Sequence, residues 1–190
     1  MKIEIKNLTK SYNDTPVLDK INMTLSSDRP TCLMGQSGRG KTTLFSVLLG
    51  LIKPDSGAIL GIENKKFSAV FQEDRLCEEL SAVMNLAIVQ ENPNKKLISD
   101  GLMQLRLSED EIHRPVSSLS GGQKRRVAIM RAIISESDII LMDEPFKGLD
   151  ETTKIQVINY IKQNLRGRLL MVITHDEDDA KLLDAEIIKL

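Results

Sequence analysis

The sequence is poor in cysteine, has no excess of charge of either sign and lacks a long hydrophobic run. Its two cysteines, Cys32 and Cys77, form no cluster of metal-binding spacing, and we expect two free thiols in a reducing compartment. Twenty-six basic residues against 27 acidic ones give a net charge of −1, which provides no overall attraction to nucleic acid or to an anionic membrane surface. The most apolar stretch, residues 44–52, contains Ser46 and Gly50 and is too short to cross a bilayer. The net charge leaves a local basic patch open. We expect no nucleic-acid partner and predict that no segment spans a membrane.

Short apolar strands and amphipathic helices alternate along most of the 190 residues, a length that suits about one domain. The first ten residues, MKIEIKNLTK, alternate like a strand and lack the apolar core of a signal peptide, so we expect a cytoplasmic location. The alternation predicts an α/β fold whose mostly parallel sheet is flanked by helices. The predicted strands cover residues 31–34, 139–142, 169–174 and 186–190, and the predicted helices cover residues 42–49, 123–134 and 152–164, with a short one after His175.

The middle of the chain has a purely helical pattern. Apolar residues recur there at helical spacing, first at Leu80, Val83, Met84 and Ala87 and then at Ile98, Leu102 and Leu105. We therefore predict a helical insertion at residues 76–115, between two parts of one core at residues 1–75 and 116–190.

A glycine-rich segment, GQSGRGKTT at residues 35–43, directly follows the apolar run TCLM. Its glycines and lysine match the pattern G-x-x-x-x-G-K-[ST], in which backbone N–H groups and the start of a helix surround phosphate groups. The plainer alternative is a solvated turn. The phosphate-binding interpretation assigns nucleotide contacts to Gly35, Gln36, Ser37, Gly38, Arg39, Gly40, Lys41, Thr42 and Thr43.

Two side chains of this loop have predicted chemical roles. Lys41 would reach the β- and γ-phosphates, and the hydroxyl of Thr42 would bind Mg²⁺. The expected ligand is therefore a nucleoside triphosphate. The motif alone does not say what hydrolysis of that ligand drives.

A buried strand with two carboxylates at its end, DIILMDE at residues 138–144, complements the loop. On its own, this pattern is equally typical of a buried strand whose last residues are exposed to solvent. Beside a phosphate loop, Asp143 suits the second Mg²⁺ contact, opposite Thr42. Glu144 would orient or deprotonate the attacking water, as a general base.

A second glycine-backed helix start, LSGGQ at residues 119–123, precedes the helix KRRVAIMRAI. A glycine turn with a serine cap explains it in the simplest way. One triphosphate hardly needs two such loops from one chain, whereas two chains arranged head to tail would let each LSGGQ close over the nucleotide of the other.

These segments occur in the order found in ATP-binding-cassette (ABC) ATPases, and the sequence resembles that superfamily over most of its length. The motifs are GQSGRGKT, Gln72 in VFQED, LSGGQ, IILMDE, GLD at residues 148–150 and His175 in VITHD. The resemblance implies that Tyr12 stacks on adenine, that Gln72 senses Mg²⁺ and the attacking water, and that His175 works with Glu144. It also implies that Ser120, Gly121, Gly122, Gln123 and Asp150 act across a dimer interface.

The resemblance further implies a single ABC domain with a P-loop NTPase core, a small antiparallel β part and the helical insertion. It implies ATP and Mg²⁺ as cofactors and a membrane permease on a separate chain as partner, with the protein held peripherally at the inner face of the membrane. The stretch VFQEDRL is similar to importer ATPases of the nitrate, sulfonate or taurine type, and an importer implies a solute-binding protein. Homodimer and pairing with a sibling ATPase both stay open.

Three departures from the family pattern set further expectations. The antiparallel part is expected to be trimmed between Gly57 and Phe67, Met130 replaces a residue that is usually small, and trailing helices are expected to be missing after the His175 region. Two other classes compete with the transporter interpretation. A soluble ABC-type ATPase acting on DNA or ribosomes usually has a long coiled coil or a duplicated core, and a P-loop kinase or GTPase would leave LSGGQ and His175 without a role.

Overall fold

The computed structural model describes the whole chain from Met1 to Leu190. Its strands are β1 (Lys2–Tyr12), β2 (Thr15–Ser26), β3 (Thr31–Met34), β4 (Ser56–Leu60), β5 (Phe67–Val70), β6 (Ile139–Asp143), β7 (Leu169–Ile173) and β8 (Glu186–Lys189). Its helices are α1 (Lys41–Leu48), α2 (Ala82–Ala87), α3 (Lys95–Gln104), α4 (Glu109–His113), α5 (Gly121–Ile134), α6 (Glu151–Asn164) and α7 (Glu177–Leu183). None of these helices has the length and apolarity that crossing a membrane requires.

Five strands form a parallel sheet in the order β5-β6-β7-β3-β8. Every residue of β3, β6 and β7 is buried. Helices cover both faces of such a sheet, and this is why these strands are continuous apolar runs instead of alternating ones. The predicted mostly parallel α/β sheet is confirmed.

Three strands form a separate antiparallel sheet in the order β2-β1-β4. In β1 the side chains of Ile3, Ile5 and Leu8 are buried, while residues between them face solvent, as expected for a strand with one covered face. This face packs in one apolar cluster with Leu44 and Phe45 of α1. The small antiparallel part that the family resemblance implied is therefore present.

The helical segment between β5 and α5 contains α2, α3 and α4. Leu86 and Leu102 from this segment belong to the same apolar cluster as Val127 and Ile129 of α5. Helix α4, which the apolar spacing did not predict, begins with a capping box formed by Ser108 and Glu111. The division of the chain at residues 76 and 115 stays a prediction.

The unusual Met130 has a structural explanation. Its side chain is buried on α5 and faces Gly101 of α3, where a Cβ atom would overlap the Met130 methyl group. The absence of a side chain at Gly101 therefore makes room for a large side chain at Met130. The same gap leaves the Tyr160 hydroxyl 3.3 Å from the position of that Cβ.

Asn85 fixes the turn that precedes α2. It is fully buried, its Oδ1 accepts from the N–H of Cys77 at 2.8 Å, and its Nδ2 donates to the Cys77, Leu80 and Ser81 carbonyls. One amide thus satisfies four backbone groups in a segment that forms no regular structure. A buried amide with all its partners stabilises the turn. Its loss leaves the Cys77 N–H without an acceptor, whereas each of the three carbonyls keeps a backbone N–H donor.

We expect Asn85→Ala to lower the free energy of unfolding by about 1–3 kcal/mol, because the Cys77 N–H loses its acceptor. Urea denaturation followed by circular dichroism measures this change. The control is Asn92→Ala, which removes the same amide from an exposed position and should change stability by less than about 0.5 kcal/mol. Equal effects of the two substitutions would show that Asn85 does not organise this turn.

Candidate nucleotide-binding site

A cavity of about 690 Å³ lies at the edge of the parallel sheet where its strands end. The loop after β3, the end of β6 and the residues after β7 all reach it, because parallel strands bring their carboxyl ends to one edge. The predicted site residues that line it are Ser37, Gly38, Gly40, Lys41, Thr42, Thr43, Gln72, Asp143, Glu144 and His175.

The glycine-rich loop is shaped by Gly40, which stands immediately before α1. Its φ of 86° lies in the left-handed region, and a Cβ there would come within 2.6 Å of the Val17 carbonyl oxygen. Glycine is therefore required for two independent reasons. No side chain caps the first turn of α1, so the N–H groups at this helix start are available to an anion.

Lys41 is 7% exposed and points back into the loop. Its ammonium donates to the Gly35 carbonyl at 2.8 Å and to the Gln36 carbonyl at 3.0 Å. Gly35 and Gln36 therefore take part in the site through their backbone, although neither lines the cavity. A charged lysine held at the mouth of an N–H-rich loop is suited to phosphate oxygens.

Thr42 and Asp143 are joined across the cavity. The Thr42 hydroxyl donates to Oδ2 of Asp143 at 3.1 Å. Burial raises the pKa of the Asp143 carboxyl, while the Thr42 hydrogen bond and the charge of Lys41 oppose the rise. One hydroxyl and one carboxylate fit Mg²⁺ that takes its other ligands from water and phosphate, and no group of three acidic, histidine or cysteine side chains is present to hold a metal by itself.

Glu144 and His175 form the second polar pair. Nε2 of His175 lies 2.8 Å from Oε1 of Glu144, yet the two atoms are misaligned, so buried Oε1 accepts no well-directed hydrogen bond. Burial raises the pKa of the Glu144 carboxyl, His175 opposes the rise and Asp143 adds to it. The backbone of Glu144 has a φ of 50°, and its N–H donates to the Ile173 carbonyl at 2.9 Å. A buried carboxylate with an unused lone pair is suited to accept a proton from water.

An ion-pair network around the buried Lys154 was not found from the sequence. The Lys154 ammonium lies 3.1 Å from Glu151, 3.0 Å from Asp176 and 3.3 Å from Asp179, the last without a well-directed hydrogen bond. Burial alone would lower the pKa of Lys154, but the bonds to Asp176 and Glu151 keep it above its ordinary value. The Thr174 hydroxyl donates to Asp179 at 2.5 Å. The network ties α6 to the residues on both sides of His175.

The sequence offered little signal for these residues. Lys154 lies at helical spacing from buried Val157 and Ile161. A lysine at the edge of such an apolar face usually extends its ammonium group into solvent. Its partners become visible only when β7 places residues 174–179 beside α6. Other lining residues outside the predicted set are Val17, Phe146, Lys147, Leu149, Ile173 and Thr174.

Tyr12 and Arg39 lie outside the lining of the cavity. Tyr12 ends β1, is 44% exposed, and its ring centre lies 5.7 Å from the Lys10 ammonium. Val17, from the next strand of the same hairpin, does line the cavity. The hairpin therefore borders the site, and adenine stacking on Tyr12 stays a prediction.

The LSGGQ segment also lies outside the lining and forms the start of α5. Ser120 caps this helix: its Oγ accepts from the Gln123 N–H, and Oε1 of Gln123 accepts from the Ser120 N–H at 2.7 Å. The Gln123 amide also donates to Glu111 at 2.6 Å. Gln123 therefore shapes the turn, while Ser120 and Gly121 are exposed and Gly122 is half-buried.

Asp150 has a similar arrangement at the start of α6. Its carboxylate accepts from the Thr153 N–H at 2.9 Å and from the Thr153 hydroxyl at 2.6 Å. These bonds hold the pKa of Asp150 below its ordinary value. The residue is exposed and lies outside the cavity, so roles of Asp150 and of residues 120–123 across a dimer interface stay predictions.

Curated relatives with similar sequences are spermidine/putrescine import ATP-binding proteins called PotA. The protein from Lawsonia intracellularis is 33% identical over 98% of this chain, and the one from Legionella pneumophila is 34% identical over 98% of it. The alignments cover 55% and 56% of those proteins, so the chain spans about half the length of these relatives.

Solved structures agree with the fold. The ATP-binding cassette MJ0796, described as a dimer in a post-hydrolysis state with ADP and Pi, is 28% identical with a TM-score of 0.86, over 99% of this chain and 94% of that one. A putative ABC transporter ATP-binding protein from Pyrococcus furiosus is 25% identical with a TM-score of 0.87, over 100% and 98% of the two chains. The family model described as "ABC transporter" matches residues 18–147, more than half of the sequence. The chain belongs to the ABC transporter family.

Proposed function

We propose that this chain binds and hydrolyses ATP with Mg²⁺ and that, as a head-to-tail dimer, it energises a membrane permease on a separate chain. The observation that carries the proposal is the meeting of Lys41, Thr42, Gln72, Asp143 and Glu144 in one cavity at the edge of the parallel sheet. This set contains a phosphate-binding cation, a hydroxyl and a carboxylate for a hard metal ion, and a buried base. A site that only bound a nucleotide would not need the base.

Each residue has a part that follows from its position. Lys41 exchanges its bonds with loop carbonyls for bonds with β- and γ-phosphate oxygens. Thr42 and Asp143 would hold Mg²⁺, which would supply positive charge beside the phosphates. Glu144 accepts the proton of the attacking water at Oε1. Nε2 of His175 lies 2.8 Å from that oxygen, close enough to stabilise charge on the carboxylate.

The proposed dimer rests on two helices that begin next to glycine, α1 after Gly40 and α5 at Gly121. The start of α1 faces the cavity, whereas the start of α5 presents exposed Ser120 and Gly121 away from the lining. A second copy, or a sibling ATPase, can place its own α5 start over the phosphates. The dimeric state named for the related cassette MJ0796 supports this arrangement.

The transport role rests on the relatives. Their names describe import of spermidine and putrescine, which supports an importer with a solute-binding protein, and the permease would hold this chain at the cytoplasmic face of the membrane. Met84 of α2 and Ile88, the residue after that helix, are four positions apart and are 38% and 52% exposed, which offers an apolar surface to a permease segment. The alternative is a soluble ABC-type ATPase acting on DNA or ribosomes. A net charge of −1 provides no overall attraction to nucleic acid and so does not support it.

We expect Lys41→Ala to weaken Mg-ATP binding by about 10–100-fold, because a charge-assisted bond to phosphate contributes about 1.5–3 kcal/mol. Titration with a fluorescent ATP analogue measures the affinity, and circular dichroism checks the fold. The control Lys53→Ala removes an exposed lysine outside the cavity and should leave the affinity unchanged. Unaltered binding by Lys41→Ala would refute the phosphate assignment.

Removing the base should trap the dimer. We expect Glu144→Gln to bind ATP without hydrolysing it and to dimerise when ATP is added, as seen by size-exclusion chromatography. Adding Ser120→Arg places bulk and charge where the opposite phosphate would lie, so dimers should vanish while ATP still binds. Adding Thr24→Arg, on the exposed side of β2, is the control and should leave the dimer intact. Dimers that persist with Ser120→Arg would rule out the head-to-tail arrangement.

We expect Met84→Glu to release the protein from membranes that contain its permease without changing ATP affinity, because a charge in an apolar interface costs several kcal/mol when unpaired. Leu97→Glu, on α3 of the same helical segment, is the control, since Leu97 is 66% exposed and lies on another helix. Co-sedimentation with membranes distinguishes the two. Retention of the wild-type protein on ribosomes or DNA instead would favour the alternative function.

A further inference from the structure

Side chains of another element, and not backbone hydrogen bonds, hold the first part of the segment between β5 and α2. Residues 72–76 form no regular structure and make no hydrogen bond between backbone groups. Gln72, at the start of this segment, nevertheless lines the nucleotide cavity and needs a defined position there. The contacts that fix the segment come from side chains of α5.

Arg125 of α5 makes most of these contacts and is only 9% exposed. One terminal nitrogen of its guanidinium donates to the Phe71 carbonyl at 2.7 Å, and the other donates to the Gln72 carbonyl. Its Nε lies 3.0 Å from Oδ1 of Asp74, in an ion pair without a well-directed hydrogen bond. One planar group thus binds Phe71, Gln72 and Asp74, a geometry that a lysine could not reproduce.

Arg131, further along the same helix, binds the next part of the segment. It donates to the Asp74 carbonyl at 3.3 Å and to the Arg75 carbonyl at 2.9 Å, but makes no hydrogen bond to Gln72. The two arginines therefore share the tethering of one loop from one helix. Arg125 alone reaches the residue whose side chain lies in the cavity.

We propose that Arg125 is a positioning residue for Gln72, a role that rests on the proposed ATPase function. By binding the carbonyls of Phe71 and Gln72, it sets the direction in which the Gln72 side chain leaves the backbone. Arg125 does not line the cavity, so it acts through Gln72 and not on the nucleotide. The same helix begins with Ser120 and Gly121, so the position of Gln72 depends on the element that carries the LSGGQ segment.

The test is a double-mutant cycle on the full chain with Arg125→Met, Gln72→Ala and the combination. If Arg125 acts through Gln72, Arg125→Met lowers kcat by about tenfold, the size expected for residues that orient metal contacts, with a much smaller change in KM. The combination should then be no slower than Gln72→Ala alone. Effects of the two substitutions that multiply would overturn the proposal.

A second measurement does not depend on hydrolysis. Mn²⁺ binding in the presence of a non-hydrolysable ATP analogue, followed by electron paramagnetic resonance, should weaken by about tenfold in Arg125→Met and to the same extent in Gln72→Ala. Arg131→Met is the matched control, because it removes a guanidinium from the same helix and loop without touching Gln72. It should lower stability but keep the Mn²⁺ affinity of the wild type, and an equal loss of affinity in both arginine variants would overturn the assignment.

Arg125→Lys keeps the proposal testable if Arg125→Met does not fold. It retains a charge beside Asp74 but cannot bind both carbonyls, so we expect a folded variant with reduced Mn²⁺ affinity. Full Mn²⁺ affinity in a folded Arg125→Lys variant would overturn the proposal. A wild-type protein that hydrolyses no ATP would refute the proposed function instead, and a fully active Gln72→Ala variant would refute the positioning role while the ATPase function stands.

Discussion

Parallel pairing of β6 with β5 and β7, and of β7 with β3, is the constraint on which the site depends. Val70 pairs with Met142, and both Asp143 and Leu33 pair with Ile173, so the ends of four strands lie within about one residue of each other. The chain leaves each strand at the same edge. Strand pairing therefore brings together the glycine-rich loop, the Gln72 segment, the two carboxylates and His175.

Several charged side chains around the cavity are buried. Asp143, Lys41, Lys154 and Asp179 are each less than 10% exposed, which is rare for charged residues unless they are paired. Thr42 pairs with Asp143 and Lys154 with its three carboxylates, whereas Oε1 of Glu144 has no well-directed partner. Polar pairs fix the frame of the cavity. Oδ1 of Asp179 also lacks a well-directed hydrogen bond but lies beside the Lys154 ammonium, and Oε1 of Glu144 is the atom assigned to the reaction.

The fold and the centre of the site could be predicted because their signals are local. Continuous apolar runs mark β6 and β7, and the glycine-rich segment defines its own loop through the left-handed Gly40. The Lys154 network could not be predicted, since its partners on the two sides of His175 are adjacent only in the folded chain. Helix α4 was missed because a single buried residue, Ile112, cannot show a helical period, although Ser108 and Glu111 carry a capping signal.

Helix α5 binds two neighbouring loops through hydrogen bonds from its arginines to their backbone carbonyls. Arg125 and Arg131 bind carbonyl oxygens in residues 71–75, and Arg126 binds those of Leu105 and Arg106. A carbonyl oxygen is the same acceptor in every amino acid, so most of these bonds do not depend on which side chains the loops carry. The surface of both loops is therefore free to diverge in sequence toward different partners while the helix that supports them stays unchanged.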